Sequence, residues 1–351
     1  MTKLRITRRE TLIGSALGIA GSLRPRPSRA LADQSADAPV NPGAGDSKLR
    51  FGVITDVHQD VMHDGVERIT SFVSAMKDQN VDFVLQLGDF CQPKSGNDAF
   101  MEAWRRFDGP RYHVIGNHDM DGGFSREQVV KYYGMSARYY SFDVKGLHCI
   151  VLDGNDPGGT SGGYARFVAE DQLDWLRADL EANPRPTLVF VHQPLDSSDG
   201  VDNRAEVRAI LDAAGRQDGH PGVIGVFSGH SHVDYSRLLN GIYYTLINSA
   251  SYVWVGGDHQ HESYDPKVHE EHKWIGHTCP YQEPLWAVVT IDKVAGAMDV
   301  DGTSTKWVGP DPIACGADPK AGYWGWAPPF AAPRVSSWRS PLQGHGDLDG
   351  A

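Results

Sequence analysis

Seven side chains of metal-ligand type recur in short blocks along this chain, each block following an apolar run. The blocks are Asp56-Val57-His58, Gly88-Asp89, Gly116-Asn117-His118-Asp119, His192 and Gly229-His230-Ser231-His232. Carboxylates, imidazoles and an amide oxygen, without a thiolate, suit Fe, Mn, Zn and similar ions. Two such ions, about 3.5–4 Å apart, can stabilise the attacking and leaving oxygens of a phosphoryl transfer and activate a water at neutral pH. Taken singly, Asp56, Asp89 and Asn117 also fit the capping and turn residues common after strands. His192, His230 and His232 taken singly fit core or surface histidines. The joint order of the blocks is what sets them apart.

Such blocks need elements to hold them. Leu49–Ile54, Val81–Leu87, Tyr112–Ile115, Thr187–Val191 and Val223–Phe227 read as strands, each ending at one of the blocks. Between them, Val66, Ile69, Phe72, Val73 and Met76 recur at helical spacing, as do Phe100, Met101, Trp104 and Phe107. Leu173, Leu176 and Leu180 mark a third helix, and Val207, Ile210 and Leu211 a fourth. Ser125-Arg126-Glu127-Gln128 has the form of a capping box opening another. Lys145-Gly146 joins Tyr139–Val144 to Leu147–Leu152 as a hairpin, and Ile242–Ile247 and Leu285–Ile291 complete the strands. Alternating strands and helices imply an α/β domain. Ligands at strand C-termini then converge on one sheet edge, where α/β proteins place their sites.

The five blocks, in this order, resemble the motif set of the calcineurin-like metallophosphoesterases: D-x-H, GD, GNH[DE], H and GHxH. The resemblance runs from about Leu49 to Val300. It implies a four-layer α/β/β/α sandwich of two mixed β-sheets and two divalent or trivalent metal ions per chain (Fe, Mn or Zn). Residue by residue, it implies that Asp56, His58 and His232 hold one ion, that Asn117, His192 and His230 hold the other, and that Asp89 bridges both. His118 would sit beside the scissile phosphate, oriented by Asp119. The implied reaction is attack of a metal-bridging hydroxide on a small phosphodiester or phosphomonoester. The alternative is a non-catalytic metal- or phosphate-binding exported protein: a metal-binding scaffold would be expected to lack a ligand or His118, and all are present, whereas a phosphate-binding protein would be told apart by measured hydrolysis of an activated phosphoester. Purple acid phosphatases carry a tyrosine three residues after the bridging aspartate. Here that residue is Gln92, which disfavours that subgroup. Gly88-Asp89-Phe90-Cys91 instead resembles the cyclic-nucleotide and glycerophosphodiester phosphodiesterase branch.

With 351 residues, 40% of them hydrophobic, the chain can bury a sizeable core as one large domain or two small ones. Residues 1–32 read as a signal peptide. Arg8-Arg9 precedes a short apolar stretch, and Ala30-Leu31-Ala32 supplies a small-residue cleavage site. The arginine pair resembles a twin-arginine signal, although Thr11 stands where an aromatic is usual. The resemblance implies the twin-arginine export machinery as a partner and a periplasmic or extracellular location. Residues 1–32 hold seven basic side chains and one acidic, so their removal would take the formal charge from −12 to −18. That acidity disfavours a nucleic-acid polymer as partner. It leaves room for a small phosphoester beside bound cations. No apolar run reaches the length of a membrane span, and nothing in the sequence fixes an oligomeric state.

Residues 33–48 read as a flexible leader, 49–300 as the phosphoesterase domain, and 301–351 as a loop-rich extension. Within the domain, Tyr252–Pro284 reads as a loop insertion without periodicity, crowded with His259, His261, His269, His272 and His277. Those histidines fit a solvated loop, or else substrate contacts or a further metal. Seven of nine tryptophans lie beyond residue 250, so this region is expected to pack. Asn155 reads as a turn residue or a substrate contact. Tyr252 and Trp254 read as core residues or as pocket walls. Cys91 and Cys149 read as buried thiols. Cys279 and Cys315 could pair in an oxidising compartment.

Overall fold

The computed structural model describes residues 47–160, 162–214, 221–317 and 332–342. The signal peptide and nearly all of the leader lie outside the described residues. The strands are β1 (Lys48–Ile54), β2 (Phe83–Gln86), β3 (Arg111–His113), β4 (Tyr140–Val144), β5 (Leu147–Val151), β6 (Thr187–Phe190), β7 (Val223–Ser228), β8 (Tyr235–Leu239), β9 (Ile242–Leu246), β10 (Tyr252–Trp254), β11 (Thr278–Pro280), β12 (Ala287–Asp292), β13 (Ala297–Gly302) and β14 (Trp338–Pro341). The α-helices are α1 (Gly65–Asp78), α2 (Asp98–Arg105), α3 (Arg126–Tyr133), α4 (Glu170–Ala182), α5 (Arg204–Ala213) and α6 (Pro266–Glu271).

Two six-stranded mixed sheets form, ordered β14-β13-β12-β1-β2-β3 and β4-β5-β6-β7-β9-β8. Alternation along each strand divides its side chains between two faces. Phe51, Phe83, Tyr112 and Val289 of the first sheet meet Phe142, Cys149, Leu188 and Phe190 of the second in a shared core. The outer face of the first sheet packs on α1, α2 and α3 through Phe72, Met76, Trp104 and Val129. The outer face of the second packs on α4 and α5 through Leu173, Leu176, Val207 and Leu211. The result is the four-layer α/β/β/α sandwich. Among the described residues no helix is long and apolar enough to cross a membrane.

β1, β2 and β3 run parallel, as do β5, β6, β7 and β9. The C-terminal ends of β1, β2 and β3 from one sheet, and of β6 and β7 from the other, therefore deliver every ligand block to one rim. The capping box at α3 is present: Gln128 N–H donates to Ser125 Oγ at 3.3 Å, and Ser125 N–H to Gln128 Oε1 at 2.8 Å.

Three expectations need correction. Tyr252–Pro284 is not a plain loop: β10 and β11 pair as an antiparallel ribbon with α6 between them. The ribbon is too short to show periodicity, because each strand has only three residues. The domain also does not stop at residue 300, since β13 runs to Gly302 and β14 adds an edge strand beyond it. Finally, β8 escaped the sequence reading. It is a five-residue edge strand with alternating partial exposure, and Ser236 and Arg237 interrupt its apolar run. Its signal was Asn240-Gly241, both at positive φ, the hairpin turn that joins it to β9.

Candidate dinuclear metal centre

Asp56 and His58 follow β1, Asp89 follows β2, Asn117 follows β3, His192 follows β6, and His230 and His232 follow β7. The carrying loops are tied to one another. Asp56 N–H and His58 N–H donate to the carbonyls of Gly88 and Asp89, both at 3.0 Å, and Gly229 N–H to that of His192 at 3.0 Å. Backbone strain concentrates here. Among the described residues eight non-glycine residues have positive φ, and five of them are Asp56, His58, Asp89, His230 and His232. Such conformations cost of order 1–3 kcal/mol each and persist where the surroundings over-determine them. The loops also approach closely: a Cβ on Gly116 would overlap the Asp89 backbone nitrogen and carboxylate.

Two ligand sets emerge. Asp56, His58 and His232 bring one ligand atom each into a common cluster, and Asp89, His192 and His230 form a second. In the first, His58 Nε2 faces His232 Nε2 at 3.2 Å, and Asp56 Oδ1 lies 3.2 Å from His232 Nε2. Asp89 Oδ2 stands between the sets, 3.0 Å from His192 Nε2 and 3.7 Å from His58 Nε2.

The donors fit a pair of cations. His192 Nδ1–H donates to Leu87 O at 2.7 Å and His232 Nδ1–H to Tyr252 O at 2.9 Å. Each bond fixes the tautomer and turns the Nε2 lone pair to the centre, the usual arrangement behind a metal-bound imidazole. Asp56 Oδ1, His192 Nε2 and both amide atoms of Asn117 are buried without a hydrogen-bond partner. His192 Nε2 is close to Asp89 but misaligned for a hydrogen bond. Orphaned buried polar atoms are costly, and cations at the centre would satisfy the lone pairs of Asp56 Oδ1, His192 Nε2 and Asn117 Oδ1.

The electrostatics agree. Burial pushes His58 down to about 3, against the pull of Asp89, so its ring stays neutral, the form that can bind a metal. His192 is pushed the other way, to about 9, because Asp89 and Asp56 outweigh its burial. Asp89 is held well below the carboxylate range by His192 and His118 despite its burial. The centre therefore demands positive charge, which metal ions would supply in place of protons.

Beside this centre, His118 N–H donates to Asp89 Oδ1 at 2.7 Å. Its ring Nδ1 is 2.7 Å from Asp121 Oδ2 and 3.1 Å from the Tyr164 hydroxyl, which itself donates to Asp121 Oδ1 at 2.9 Å. That leaves Nε2 for the cavity. Burial lowers the affinity of His118 for a proton, but Asp89 and Asp121 outweigh it and raise the ring to about 9.

Asp119 does not orient His118, contrary to the expectation. Its carboxylate accepts Phe90 N–H on Oδ1 and Gly116 N–H on Oδ2, both at 2.7 Å, and so braces the two loops that carry Asp89 and Asn117. These donors work against the burial that pushes its carboxyl up to about 7. The short helical turn at His118 sends residue 119 inward and residue 121 alongside the ring. Asp119→Asn is accordingly expected to lower stability by about 1–3 kcal/mol, since one buried N–H loses its acceptor. Chemical denaturation checks it. An unchanged midpoint with a large loss of kcat would restore the orienting role.

A cavity of about 510 Å³ opens over the centre, with His58, Asp89, Asn117, His118, His230 and His232 at its floor. Tyr164, Tyr252, Trp254 and Trp274 form its walls. Tyr252 is also buried, its ring 5.0 Å from those of His58 and His232, so it is both core and wall. A larger cleft of about 770 Å³ between α4 and α5 is lined by residues such as Arg177, Glu181 and Glu206, with no part of the ligand set. The ligand-type residues line the smaller cavity. Asn155 is buried and braces loops, donating to Ile115 O at 3.0 Å and accepting from Gln193 at 2.7 Å. Cys91 is buried, and desolvation raises its thiol well above the usual range. Asp121, Tyr164 and Trp274 were missed by the sequence reading. Asp121 had a signal in its spacing of three from His118, whereas Tyr164 lies in a Gly-rich stretch with none.

Fold and site together define a metallophosphoesterase architecture. The sequence model described as calcineurin-like phosphoesterase matches residues 49–234, more than half of the chain, and the chain belongs to that family. It is 33% identical over 111 residues to purple acid phosphatase 22 of Arabidopsis thaliana, and 35% identical over 109 residues to purple acid phosphatase 18 of the same plant. The matches cover 30% and 28% of this chain but only 23% and 21% of those proteins. Among solved structures, a dimetal phosphatase from Danio rerio superposes with a TM-score of 0.54, covering 74% of this chain and 98% of that one at 16% identity. That likeness shows the fold. The Gln92 side chain accepts from Lys94 Nζ at 3.1 Å.

Proposed function

We propose that this chain is a metal-dependent hydrolase of small phosphoesters. The observation that carries the reading is the pair of ligand sets meeting at Asp89, with buried lone pairs aimed between them. Asp56, His58 and His232 would hold one ion, and Asn117, His192 and His230 the other, with Asp89 shared. Two ions so held supply Lewis acidity and an activated water. The metallophosphoesterase family and the dimetal phosphatase of the same fold support this reading.

The chain's own residues do the rest. His118 presents Nε2 to the cavity and can give a proton to the leaving oxygen. Asp121 pairs with Nδ1 and favours the charged ring that this role needs. Tyr252, Trp254 and Trp274 offer aromatic surface to an organic substituent of the ester, which suits a phosphodiester or a bulky monoester over inorganic polyphosphate. Gln92 stands where purple acid phosphatases carry a tyrosine, which disfavours that subgroup although the two curated relatives belong to it.

Chelation tests the reading. Exhaustive removal of metal should abolish hydrolysis of nitrophenyl phosphodiesters and monoesters. Activity should return with Mn²⁺, Zn²⁺ or Fe and reach its maximum at two ions per active centre. Full activity of the stripped protein would refute the proposal.

A further inference from the structure

Behind the ribbon, a second group of ligand-type side chains converges away from the catalytic centre. Cys279 of β11, Cys315 of the turn at residues 311–317, and His261 bring their ligand atoms within 4.8 Å of one another. They come from three separate stretches of chain. We propose that these residues form an additional metal site, of the thiolate–imidazole type that selects zinc, which clamps the ribbon to the C-terminal turn.

The spacing is that of ligands on one ion rather than of a covalent pair. Cys279 Sγ and Cys315 Sγ are free and 3.7 Å apart. Two thiolates on a tetrahedral zinc, each at about 2.3 Å, stand about 3.8 Å apart, whereas a disulfide needs about 2.05 Å. His261 completes the set, with Nε2 3.7 Å and Nδ1 3.2 Å from Cys315 Sγ.

The surroundings hold the histidine as a ligand. His261 Nδ1–H donates to His259 O at 3.0 Å, which fixes the proton there and frees the Nε2 lone pair. His261 N–H is anchored on Gly276 O at 3.1 Å. The His259 ring in turn reaches Cys315 O at 3.1 Å, tying the backbone of one ligand to the neighbourhood of another. Cys279 is fully buried, while Cys315 and His261 are half-buried, so an ion has a route in. Three protein ligands leave a tetrahedral ion one further position.

The consequence for the catalytic face follows from strand alternation. Cys279 pairs with Val253, so it points to the side of the ribbon opposite Tyr252 and Trp254. Those two residues wall the cavity over the catalytic centre. A clamp on the far side therefore sets the position of the pocket wall. This last step rests on the phosphoesterase reading; the metal site does not.

Cobalt titration of the reduced, chelator-stripped full chain tests the site independently of turnover. Thiolate-to-cobalt charge transfer in the near ultraviolet reports only a cysteine-ligated ion, and the catalytic set contains no cysteine. The band is expected in the wild type and in Asp89→Ala. It should vanish in Cys279→Ser and Cys315→Ser. In His261→Ala, a half-buried position expected to tolerate the change, affinity should fall by at least about tenfold. Zinc should displace cobalt and bleach the band. No band in the wild type would overturn the proposal without recourse to any variant. So would a band that survives Cys279→Ser, or a Cys279–Cys315 disulfide mapped in the native, unreduced protein.

Discussion

Asp89→Ala is expected to empty the catalytic centre and lower turnover by roughly 10³–10⁴, the rate equivalent of losing several kcal/mol of charge stabilisation. The reason is positional. Asp89 Oδ2 lies 3.0 Å from His192 Nε2 and 3.7 Å from His58 Nε2, so it faces both ligand sets. Its other oxygen accepts His118 N–H at 2.7 Å, so the variant also releases the loop that carries the proton donor. Asp89→Asn separates the two effects: it keeps the shape and an acceptor oxygen but removes the charge that two cations need. Both variants should bind fewer than two ions by elemental analysis and should still unfold cooperatively. An Asp89→Asn protein with two ions and most of its turnover would end the shared-ligand model.

His118→Ala should leave both ions in place and cut kcat by roughly 10²–10⁴, the range of a general acid. The size of the loss should depend on the leaving group. A nitrophenolate leaves without help and should show a small defect, while an alkoxide leaving group should show the full one. Asp121→Asn should reproduce a weaker version of the same pattern, because it removes the charge of the group that holds Nδ1 at 2.7 Å. Equal losses on good and poor leaving groups would instead place His118 in substrate binding.

The convergence of the ligand-type blocks was legible in the sequence because each block sits at a strand end, and parallel strands deliver their C-terminal ends to the same rim whatever the details of packing. Asp56-x-His58 and Gly229-His230-x-His232 carry their geometry within three or four residues. So does the capping box at Ser125, because its two bonds span one helical turn. Local chemistry of this kind survives without knowledge of the fold.

What the sequence could not decide was which partner each group finds across the chain. Asp119 adjoins His118 yet bonds Phe90 and Gly116, while Asp121 takes the ring, because a single helical turn rotates adjacent side chains apart. Tyr164 joins that ring from 46 residues away. β10 and β11 are three residues each, and pair across the 23 residues between Trp254 and Thr278 that their own pattern does not announce. Cys279 meets Cys315 and His261 only because the ribbon and the C-terminal turn fold together. Composition and spacing fixed the kind of chemistry at the rim. Long-range packing decided how its donors are oriented, what walls its cavity, and that a second group of ligands gathers behind that wall.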